Sequence, residues 1–204
     1  MEYHKIETLY ERDMATFKVD PSKLKNPTYS LLKEWEFTEK IDGTNIRVIW
    51  EDGKLTFGGK TDNAQIHTDL IKWLYENIST AKLAELFPDN SVVIYGEGYG
   101  AGIQKGGGYS PTKKLIVFDV LVGGKWWLNW ENTCDVAAKL GLETVPFIGT
   151  MSLEWATAMV KQGFPSLLGD GSQRAEGLVG RPQETLFDKK GHRLIVKLKT
   201  KDFA

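Results

Sequence analysis

The sequence predicts an α+β fold built mainly from antiparallel strands. Short runs of β-branched and aromatic residues, punctuated by glycine, dominate the 204-residue chain, and only a few segments have helical spacing. No internal repeat or low-complexity linker divides the chain, and its length suits one sizeable core. We therefore expect a single domain over residues 1–204.

The first predicted strand carries an unusual polar face. Residues from Trp35 to Asp42 alternate in strand fashion. The alternation predicts one face with Thr38, Lys40 and Asp42 and another with Phe37, Glu39 and Ile41. A polar strand face of this kind requires an explanation.

The remaining elements follow from apolar spacing and from turn residues. Asp52 and Gly53 predict a hairpin, because a tight two-residue turn needs positive φ angles. The further predicted strands are Asn45–Trp50, Lys54–Phe57, Ser91–Tyr95, Leu115–Val122, Glu176–Gly180 and Arg193–Thr200. The predicted helices are one segment from Leu70 to Leu83 that ends before Pro88, then Thr133–Leu140 before Gly141 and Ser152–Gln162 before Gly163. The glycine-rich stretch Gly96–Gly108 predicts a flexible or ligand-shaping loop.

Composition excludes several classes of protein. With 41% apolar and 26% charged residues, the chain resembles neither a disordered nor a membrane protein. The charged N-terminus lacks the features of a signal peptide, so we expect a cytoplasmic location. The single Cys134 forms no internal disulfide, and His4, His67 and His192 lack zinc-ligand spacing.

The charges balance overall but are unevenly distributed. Lys and Arg number 26 against 27 Asp and Glu, which gives a net charge of −1 and no global attraction to nucleic acid. Residues 189–201, however, contain six Lys or Arg and no acidic residue. This run fits either a solvated strand or a phosphate-binding strand.

The stretch Lys40-Ile41-Asp42-Gly43 places a lysine and a carboxylate directly before a glycine turn. A lysine is a nucleophile only when it is deprotonated, and neighbouring cations, burial or a metal-bound phosphate lower its pKa. Taken alone, this stretch also fits a hairpin with a solvated lysine.

Other charged residues near strand ends extend the pattern. Glu97 and Glu176 each precede a glycine, and Lys197 and Lys199 lie two residues apart, on one strand face. Carboxylates hold divalent cations and lysines neutralise phosphate oxygens. The set therefore suits a nucleoside triphosphate with a divalent cation.

Three other interpretations fit less well. Gly59-Lys60-Thr61 lacks the upstream glycine of a P-loop, because that position holds Lys54. The spacing of the glycines from Gly96 to Gly108 does not match the Gly-x-Gly-x-x-Gly motif of dinucleotide-binding proteins. Trp126, Trp127 and Trp130 follow a buried strand and suit packing better than base stacking.

The order of these motifs resembles the covalent nucleotidyltransferase superfamily of ATP-dependent ligases and mRNA capping enzymes. Within it, EKIDGTN, GGKTDN, YGEGYGAGIQKGGGY, FDV, AEGLVGRP and IVKLKT are similar to the RNA ligase 2-like family, over roughly Glu36 to Thr200. The resemblance implies an adenylyltransferase fold of antiparallel β-sheets with flanking helices. Because only four residues follow Thr200, neither an OB domain nor a C-terminal domain is expected.

The resemblance also implies roles for individual residues. Lys40 corresponds to the nucleophile that is adenylated, and Lys197 and Lys199 correspond to lysines that contact the α-phosphate. The remaining expected nucleotide-site residues are Glu39, Ile41, Asn45, Lys60, Glu97, Phe118 and Glu176. Among these, Asn45 orients the phosphates or the nick, Glu97 contacts the ribose, and Glu176 associates with metal together with Asp42.

Three positions depart from the family pattern. Asp42 lies where the family often has histidine and where DNA ligases and capping enzymes carry aspartate. Lys60 is the nearest cation where ligases usually have arginine, so a bidentate phosphate contact becomes a point charge. Leu115 occupies the position of the adenine-stacking aromatic, so either Phe118 stacks on adenine or an aliphatic sandwich replaces it.

The resemblance thus implies an ATP-dependent RNA ligase that uses ATP with Mg²⁺ or Mn²⁺. Its expected partner is nicked or broken RNA, or an RNA–DNA hybrid, with no membrane and no obligate protein partner. One alternative is a DNA ligase or a capping-type guanylyltransferase, which Asp42 favours and the Gly-Thr-Asn motif and short chain disfavour. A second is a nucleotide- or nucleic-acid-binding module without catalysis.

Overall fold

The computed structural model describes residues 1–16 and 18–203. These residues form two compact units. The first unit comprises Met1–His4 and Asp42–Val145, and the second comprises Lys5–Ile41 with the described residues from Pro146 onwards. The chain thus passes between the units directly after His4, after Ile41 and after Val145. One domain over residues 1–204 stays a prediction, and each unit is described by itself.

Strands outnumber helices in the described part of the chain. The strands are β1 (Glu7–Thr8), β2 (Tyr10–Arg12), β3 (Val19–Leu24), β4 (Trp35–Lys40), β5 (Thr44–Glu51), β6 (Lys54–Gly58), β7 (Val92–Tyr99), β8 (Lys114–Val122), β9 (Trp126–Trp127), β10 (Phe147–Met151), β11 (Gly177–Arg181) and β12 (Val196–Lys199). The α-helices are α1 (Thr68–Asn77), α2 (Thr80–Leu86), α3 (Trp130–Leu140) and α4 (Leu153–Gln162). No helix among the described residues combines the length and apolar character needed to span a bilayer.

The first unit is built on an antiparallel sheet with the strand order β6-β5-β7-β8-β9. The predicted hairpin between β5 and β6 is confirmed. Asp52 and Gly53 have φ angles of 50° and 70°, as a tight hairpin turn requires. This hairpin fixes the register of β5, the strand that follows the Lys40 motif.

Helices α1, α2 and α3 belong to this unit, and apolar residues of all three share a buried core with one face of the sheet. The prediction of one helix from Leu70 to Leu83 is wrong, because the helix ends at Asn77 and a second begins at Thr80. The side chain of Ser79 accepts a hydrogen bond from the Lys82 N–H and so caps a new helix. Leu70, Leu74 and Leu83 are nevertheless all fully buried, as the apolar spacing predicts.

The glycine-rich segment is partly a strand and not wholly a loop. Strand β7 continues to Tyr99, so Gly96, Glu97 and Gly98 lie within the sheet. A Cβ on Gly96 would lie 2.6 Å from Leu115, and one on Gly98 would lie 2.5 Å from Leu70. These glycines therefore allow close packing of the sheet, a requirement that the sequence pattern does not distinguish from loop flexibility.

The ends of α3 and α4 follow local capping signals. Helix α3 begins three residues earlier than predicted, because the Asn129 side chain accepts a hydrogen bond from the Asn132 N–H. Gly141 ends α3 with a left-handed φ of 77°, and Gly163 ends α4, both as predicted. At the start of α3, Trp130 is buried, which confirms the packing interpretation for this tryptophan.

The second unit contains a mixed five-stranded sheet with the order β1-β12-β11-β4-β10. Only the β1 and β12 pair is parallel among these neighbours. Strand β12 covers only Val196–Lys199 of the predicted Arg193–Thr200, because Arg193 instead forms an isolated bridge with Phe187. The buried core of the second unit contains Trp35 and Phe37 from β4, Leu178 from β11, Leu198 from β12 and residues of α4.

Candidate active site

Lys40 is the last residue of β4, an inner strand of the second unit's sheet. In register, Gly177 of β11 pairs with Lys40 on one side and with Lys199 of β12 on the other. Val179 pairs in the same way with Thr38 and Lys197. Because residues in one row share a face, and residues two apart in a strand also share it, the three lysines lie on one face. The prediction that Lys197 and Lys199 share a strand face is confirmed.

The carboxylate of Glu176 lies between two of these lysines. Its Oε2 is 2.5 Å from Lys40 Nζ, and its Oε1 is 3.1 Å from Lys199 Nζ. All three side chains are largely buried, at 16–23% exposure. Both ion pairs are therefore stronger than pairs in open solvent, since water screens them less.

Lys197 is the third ammonium group on this face. Burial lowers the pKa of Lys197, and the positive charges of Lys199 and Lys40 lower it further. The negative charge of Glu7 opposes this lowering, so the lysine face has Glu176 between two of its cations and Glu7 near the third. Such a surface is suited to an anionic ligand with several charges, as the phosphates of a nucleotide are.

Gly177 keeps the strands of this face close together. A Cβ at position 177 would lie 1.9 Å from the carbonyl oxygen of Leu198 on the neighbouring strand. Any other residue would therefore push β11 away from β12 and shift Lys199 relative to Glu176. The predicted Glu-Gly motif has a steric basis at this position.

Glu39 and Ile41, the neighbours of Lys40, are buried. Glu39 lies on the opposite face of β4, where its carboxylate accepts hydrogen bonds from Ser166 Oγ at 2.5 Å and from the Leu167 N–H at 2.8 Å. Burial raises the pKa of Glu39, and these hydrogen bonds oppose the rise. The strand alternation that separates Lys40 from Glu39 is as predicted, and the nucleotide-binding roles of Glu39 and Ile41 stay predictions.

Asp42 lies outside β4. The prediction that strand alternation continues to Asp42 is wrong, because β4 ends at Lys40 and Asp42 belongs to the first unit. Its backbone N–H donates to the hydroxyl of Tyr109, at 3.3 Å. The next residue, Gly43, cannot carry a side chain, because a Cβ there would lie 2.2 Å from the Gly98 carbonyl oxygen.

Asn45 and Glu97 are direct register partners on β5 and β7 in the first unit. Both side chains are partly buried. Asn45 Oδ1 is buried and accepts no hydrogen bond from any residue that the structure describes. A buried amide oxygen without a donor is costly, so this atom is available to a ligand or to water.

Phe118 lies on β8 and packs in an aromatic cluster. Its ring meets the Tyr3 ring edge-on, with 5.2 Å between centroids, and Tyr3 also contacts Tyr95 and Trp127. The Tyr3 hydroxyl donates to Asp119 of the Phe-Asp motif, at 2.7 Å. The adenine-stacking role of Phe118 stays a prediction. Tyr3 is a neighbour that the sequence did not reveal, since residues so distant in the chain give no local pattern.

Trp127 packs against Tyr95 in this aromatic cluster, which again supports packing over base stacking. Its neighbour Trp126 is 74% exposed, so the packing interpretation is wrong for Trp126. The two residues differ because side chains alternate between the faces of a strand.

Lys60 is exposed, in the loop directly after β6. The arginine beside this loop is Arg47 of β5, which donates to the Gly59 carbonyl oxygen and pairs with Asp62. Sequence reasoning missed Arg47. The sequence shows that Arg47 lies in a strand and that two glycines follow the next strand. Only the pairing of β5 with β6 reveals that Arg47 contacts Gly59.

A divalent cation fits these residues only if the ligand supplies further donors. Carboxylate oxygens are preferred ligands of Mg²⁺, and each unit, taken by itself, offers one predicted ligand, Asp42 in the first and Glu176 in the second. Within residues 1–16 and 18–203, however, no group of three or more His, Cys, Asp or Glu side chains is arranged to hold a metal ion. Mg²⁺ commonly binds through one or two carboxylates together with substrate phosphates, and that mode suits these residues.

Comparison with known proteins points to one family. The model of the family described as RNA ligase matches residues 33–199. A search of curated proteins found no match.

Several solved structures share the fold. The Naegleria gruberi RNA ligase with PPi has 18% identity and a TM-score of 0.68, with 98% of this chain and 62% of that chain covered. A mutant of the Naegleria gruberi RNA ligase with ATP and Mn has 16% identity and a TM-score of 0.69, with 100% and 61% covered. A mutant with AMP and Mn has 17% identity and a TM-score of 0.68, with 97% and 62% covered.

The chain therefore spans less than two thirds of the length of each of these structures. At such identities the likeness shows the fold, and it confirms the predicted α+β fold of antiparallel sheets with flanking helices.

Proposed function

The chain belongs to the RNA ligase family, and from this premise we propose that it is an ATP-dependent RNA ligase that carries AMP on Lys40. The observation that supports the proposal best is the shared sheet face of Lys40, Lys197 and Lys199, with Glu176 between Lys40 and Lys199. A nucleophile, two phosphate-neutralising cations and one carboxylate are the groups that adenylate transfer needs.

In the first step, the neutral amine of Lys40 attacks the α-phosphorus of ATP. A P–N bond forms, the bond between the α-phosphorus and the bridging oxygen breaks, and pyrophosphate leaves. Lys197 and Lys199 neutralise the charge that develops on the phosphate oxygens. Glu176 Oε2, which already accepts a hydrogen bond from Lys40 Nζ, is placed to take the proton that the amine must lose.

In the second unit, Glu176 would be a carboxylate ligand of the divalent cation, and Asp42 of the first unit is proposed separately as a metal-associated carboxylate. When bound, Mg²⁺ or Mn²⁺ supplies further neutralisation of the phosphate charge. Glu176 Oε2 keeps its role as the acceptor of the Lys40 proton.

In the second step, an oxygen of an RNA 5′-phosphate attacks the phosphorus of the lysyl–AMP. The P–N bond breaks, and Lys40 leaves as an amine that regains a proton. In the third step, a 3′-hydroxyl loses its proton and attacks the 5′-phosphorus of the adenylylated RNA, a phosphodiester forms, the P–O bond of the pyrophosphate linkage breaks, and AMP leaves. Both steps depend on positioning and charge neutralisation, which pre-placed lysines provide without reorganisation.

For residues of the first unit, taken by themselves, we propose the nucleotide-binding roles that the motifs imply. Glu97 contacts the ribose, and Asn45, with its buried oxygen, orients a phosphate or the nick. Lys60 contacts a phosphate, and Phe118 or neighbouring aliphatic groups hold the adenine. Glu39 and Ile41 flank Lys40 in the chain, and because their side chains are buried, any contact they make with the nucleotide would be through the backbone. These roles follow from the motifs that the chain shares with its family.

Self-adenylylation is the direct test. Incubation of the protein with ATP and Mg²⁺ should add the mass of one AMP, and Lys40→Ala should abolish the addition. Lys139→Ala is the matched control, since Lys139 is an exposed helical lysine that also pairs with a carboxylate. Full labelling of Lys40→Ala, with loss in another lysine variant, would disprove the assignment of the nucleophile.

A panel of substrates tests the choice of nucleic acid. Nicked duplexes with ribose or deoxyribose on each side of the break separate RNA, RNA–DNA hybrid and DNA as substrates, because the 2′-hydroxyl distinguishes them. Sealing of nicks flanked by ribose, with little or no sealing of all-deoxyribose nicks, would support RNA as the substrate. Labelling by GTP in place of ATP would indicate a capping-type enzyme, and labelling by neither would indicate a binding module. The cytoplasmic location stays a prediction for cell fractionation.

A further inference from the structure

Arg47 is a charged residue that the first unit buries almost completely. Its side chain is 2% exposed. Arg47 lies on β5, and the residues on either side of it, Ile46 and Val48, pack into the apolar core. A guanidinium is always ionised, so burial is costly unless hydrogen bonds and an opposite charge compensate. The contacts that compensate this charge indicate why an arginine lies there.

Those contacts lie on both sides of Lys60. Arg47 Nε donates to the Gly59 carbonyl oxygen at 2.8 Å, and Arg47 Nη1 is 2.8 Å from Asp62 Oδ1. A Cβ on Gly58 would lie 2.7 Å from Arg47 Nη2, so the guanidinium lies directly against the glycine before this loop. The planar fork of the arginine thus holds the chain before and after Lys60.

Two further contacts restrict the same loop. The Asp62 N–H donates to Glu2 Oε1 at 3.1 Å, and the Ala64 N–H donates to the Thr61 carbonyl oxygen at 3.1 Å, closing a turn. Gly59 also lies close to Ala64, because a Cβ there would be 2.8 Å from the Ala64 Cβ. Residues 59–64 are therefore held at several points although Lys60 and Asp62 are exposed.

We infer that Arg47 and Asp62 form a latch that positions Lys60 for contact with a phosphate of the substrate. The inference rests on the proposed function, because it assigns Lys60 a ligand. A lysine side chain is long and flexible, and its ammonium gives no fixed fork geometry. Holding its backbone in place limits the volume that the ammonium samples. Arg47 and Asp62 act through Lys60 and are positioning residues, not catalytic ones.

The latch is tested by coupling between Asp62 and Lys60. The sealing rate of a nicked RNA duplex is measured with preformed lysyl–AMP enzyme for the wild type, Asp62→Ala, Lys60→Ala and the double variant. A displacement of about 1 Å can cost on the order of 10²-fold in rate, so we expect each single variant to lose about 10-fold or more. The double variant should be within about 2-fold of Lys60→Ala, because Asp62 has no effect once Lys60 is absent.

A second measurement does not depend on activity. Amide hydrogen exchange of peptides that contain residues 59–63, measured without nucleotide, should be faster in Asp62→Ala than in the wild type. Asp135→Ala is the matched control, since it removes an exposed carboxylate with its own lysine partner and should change neither exchange nor sealing. Arg47→Lys should also speed exchange, because an ammonium keeps the charge but loses the two-sided contact.

Two results would overturn the latch: multiplicative losses in the double variant, or unchanged exchange of residues 59–63 in Asp62→Ala. A wild-type protein that forms no lysyl–AMP would instead contradict the proposed function. Hydrogen exchange would still decide whether Asp62 holds the loop.

Discussion

One carboxylate and three ammonium groups set the chemistry of the second unit's polar sheet face. Glu176 contacts Lys40 and Lys199, while the pKa of Lys197 is lowered by burial and by the two neighbouring lysines. Without a ligand, these cations repel one another, and a bound triphosphate relieves the repulsion. An anionic ligand beside Lys197 would therefore favour its charged form, which burial and the neighbouring lysines disfavour.

Lys197 should be unfavourable for folding and favourable for catalysis. Because its folded pKa lies below the unfolded value, the charged form is disfavoured in the native state. This cost is fully present below the folded pKa and disappears as pH rises through that pKa towards the unfolded one. Lys197→Met should therefore melt at or above the wild-type temperature at pH 7, and its advantage should shrink as pH rises towards 10.5.

The same variant should lose rate on the order of 10² to 10³ in single-turnover lysyl–AMP formation, as expected when one oriented stabilising group is removed. Thermal melting at several pH values and rapid-quench adenylylation measure the two effects. Lys139→Met, an exposed lysine, is the control for both. A lower melting temperature at pH 7 together with a wild-type rate would show that Lys197 only supports the fold.

At the level of elements, β4 carries opposite chemistry on its two faces. Lys40 faces the lysines of β12, whereas Glu39 is buried and bound to Ser166 and to the Leu167 N–H. Ser166 Oγ also accepts from the Leu168 N–H at 3.0 Å. One serine thus connects the strand that ends in the nucleophile to the segment after α4.

Ser166→Ala should destabilise the protein by about 1.5 to 3 kcal/mol at neutral pH, the range for a hydrogen bond to a charged group. Since burial raises the pKa of Glu39, the cost of its charge is present above the folded pKa and disappears as pH falls towards the unfolded value. The destabilisation should therefore decrease at acid pH. Urea denaturation at several pH values measures it.

The control for this prediction is Ser22→Ala, which removes an exposed serine hydroxyl that donates to Asp20 at 2.6 Å. Solvent replaces that bond, so stability should change little. Equal losses in the two variants would mean that burial of Glu39 does not strengthen the Ser166 contact.

Features of a single strand can be predicted from the sequence, whereas the pairing of distant strands cannot. Side-chain alternation is local, so it correctly placed Lys197 and Lys199 on one strand face and Glu39 opposite Lys40. Register between strands is not local, so neither the row formed by Lys40, Gly177 and Lys199 nor the Arg47 contact with Gly59 could be predicted. Glycine was ambiguous as well, since it permits both a flexible loop and close strand packing, and Gly96 and Gly98 serve the latter.

At the scale of the whole molecule, positive and negative charges are nearly balanced. Binding of nucleic acid therefore depends on where individual basic residues lie. With a net charge of −1, the chain has little long-range attraction for nucleic acid, and binding must come from local groups. The basic run from 189 to 201 divides accordingly. Lys197 and Lys199 belong to the sheet face of Lys40, whereas Lys189 and Lys190 are exposed in a turn outside β12.

The turn that holds Lys189 and Lys190 is organised by Asp188. Its carboxylate accepts from the backbone N–H groups of Lys190 and His192, at 2.8 and 2.9 Å. These bonds lower the pKa of Asp188, so a negative charge persists beside the two lysines. That charge offsets part of their attraction for phosphate, which favours a solvated turn over a phosphate-binding one.

The double variant Lys189→Ala and Lys190→Ala should therefore bind a nicked RNA duplex like the wild type. Each phosphate contact contributes about 0.9 to the slope of log affinity against log salt, so a lysine that contacts phosphate reveals itself by a lower slope in its variant. We expect the slope of the double variant to be unchanged and that of Lys60→Ala to fall by about one. Fluorescence anisotropy between about 50 and 200 mM salt resolves a difference of this size, because each unit of slope changes affinity about fourfold over that range. A slope that falls by about two in the double variant would instead assign both lysines to the RNA-binding surface.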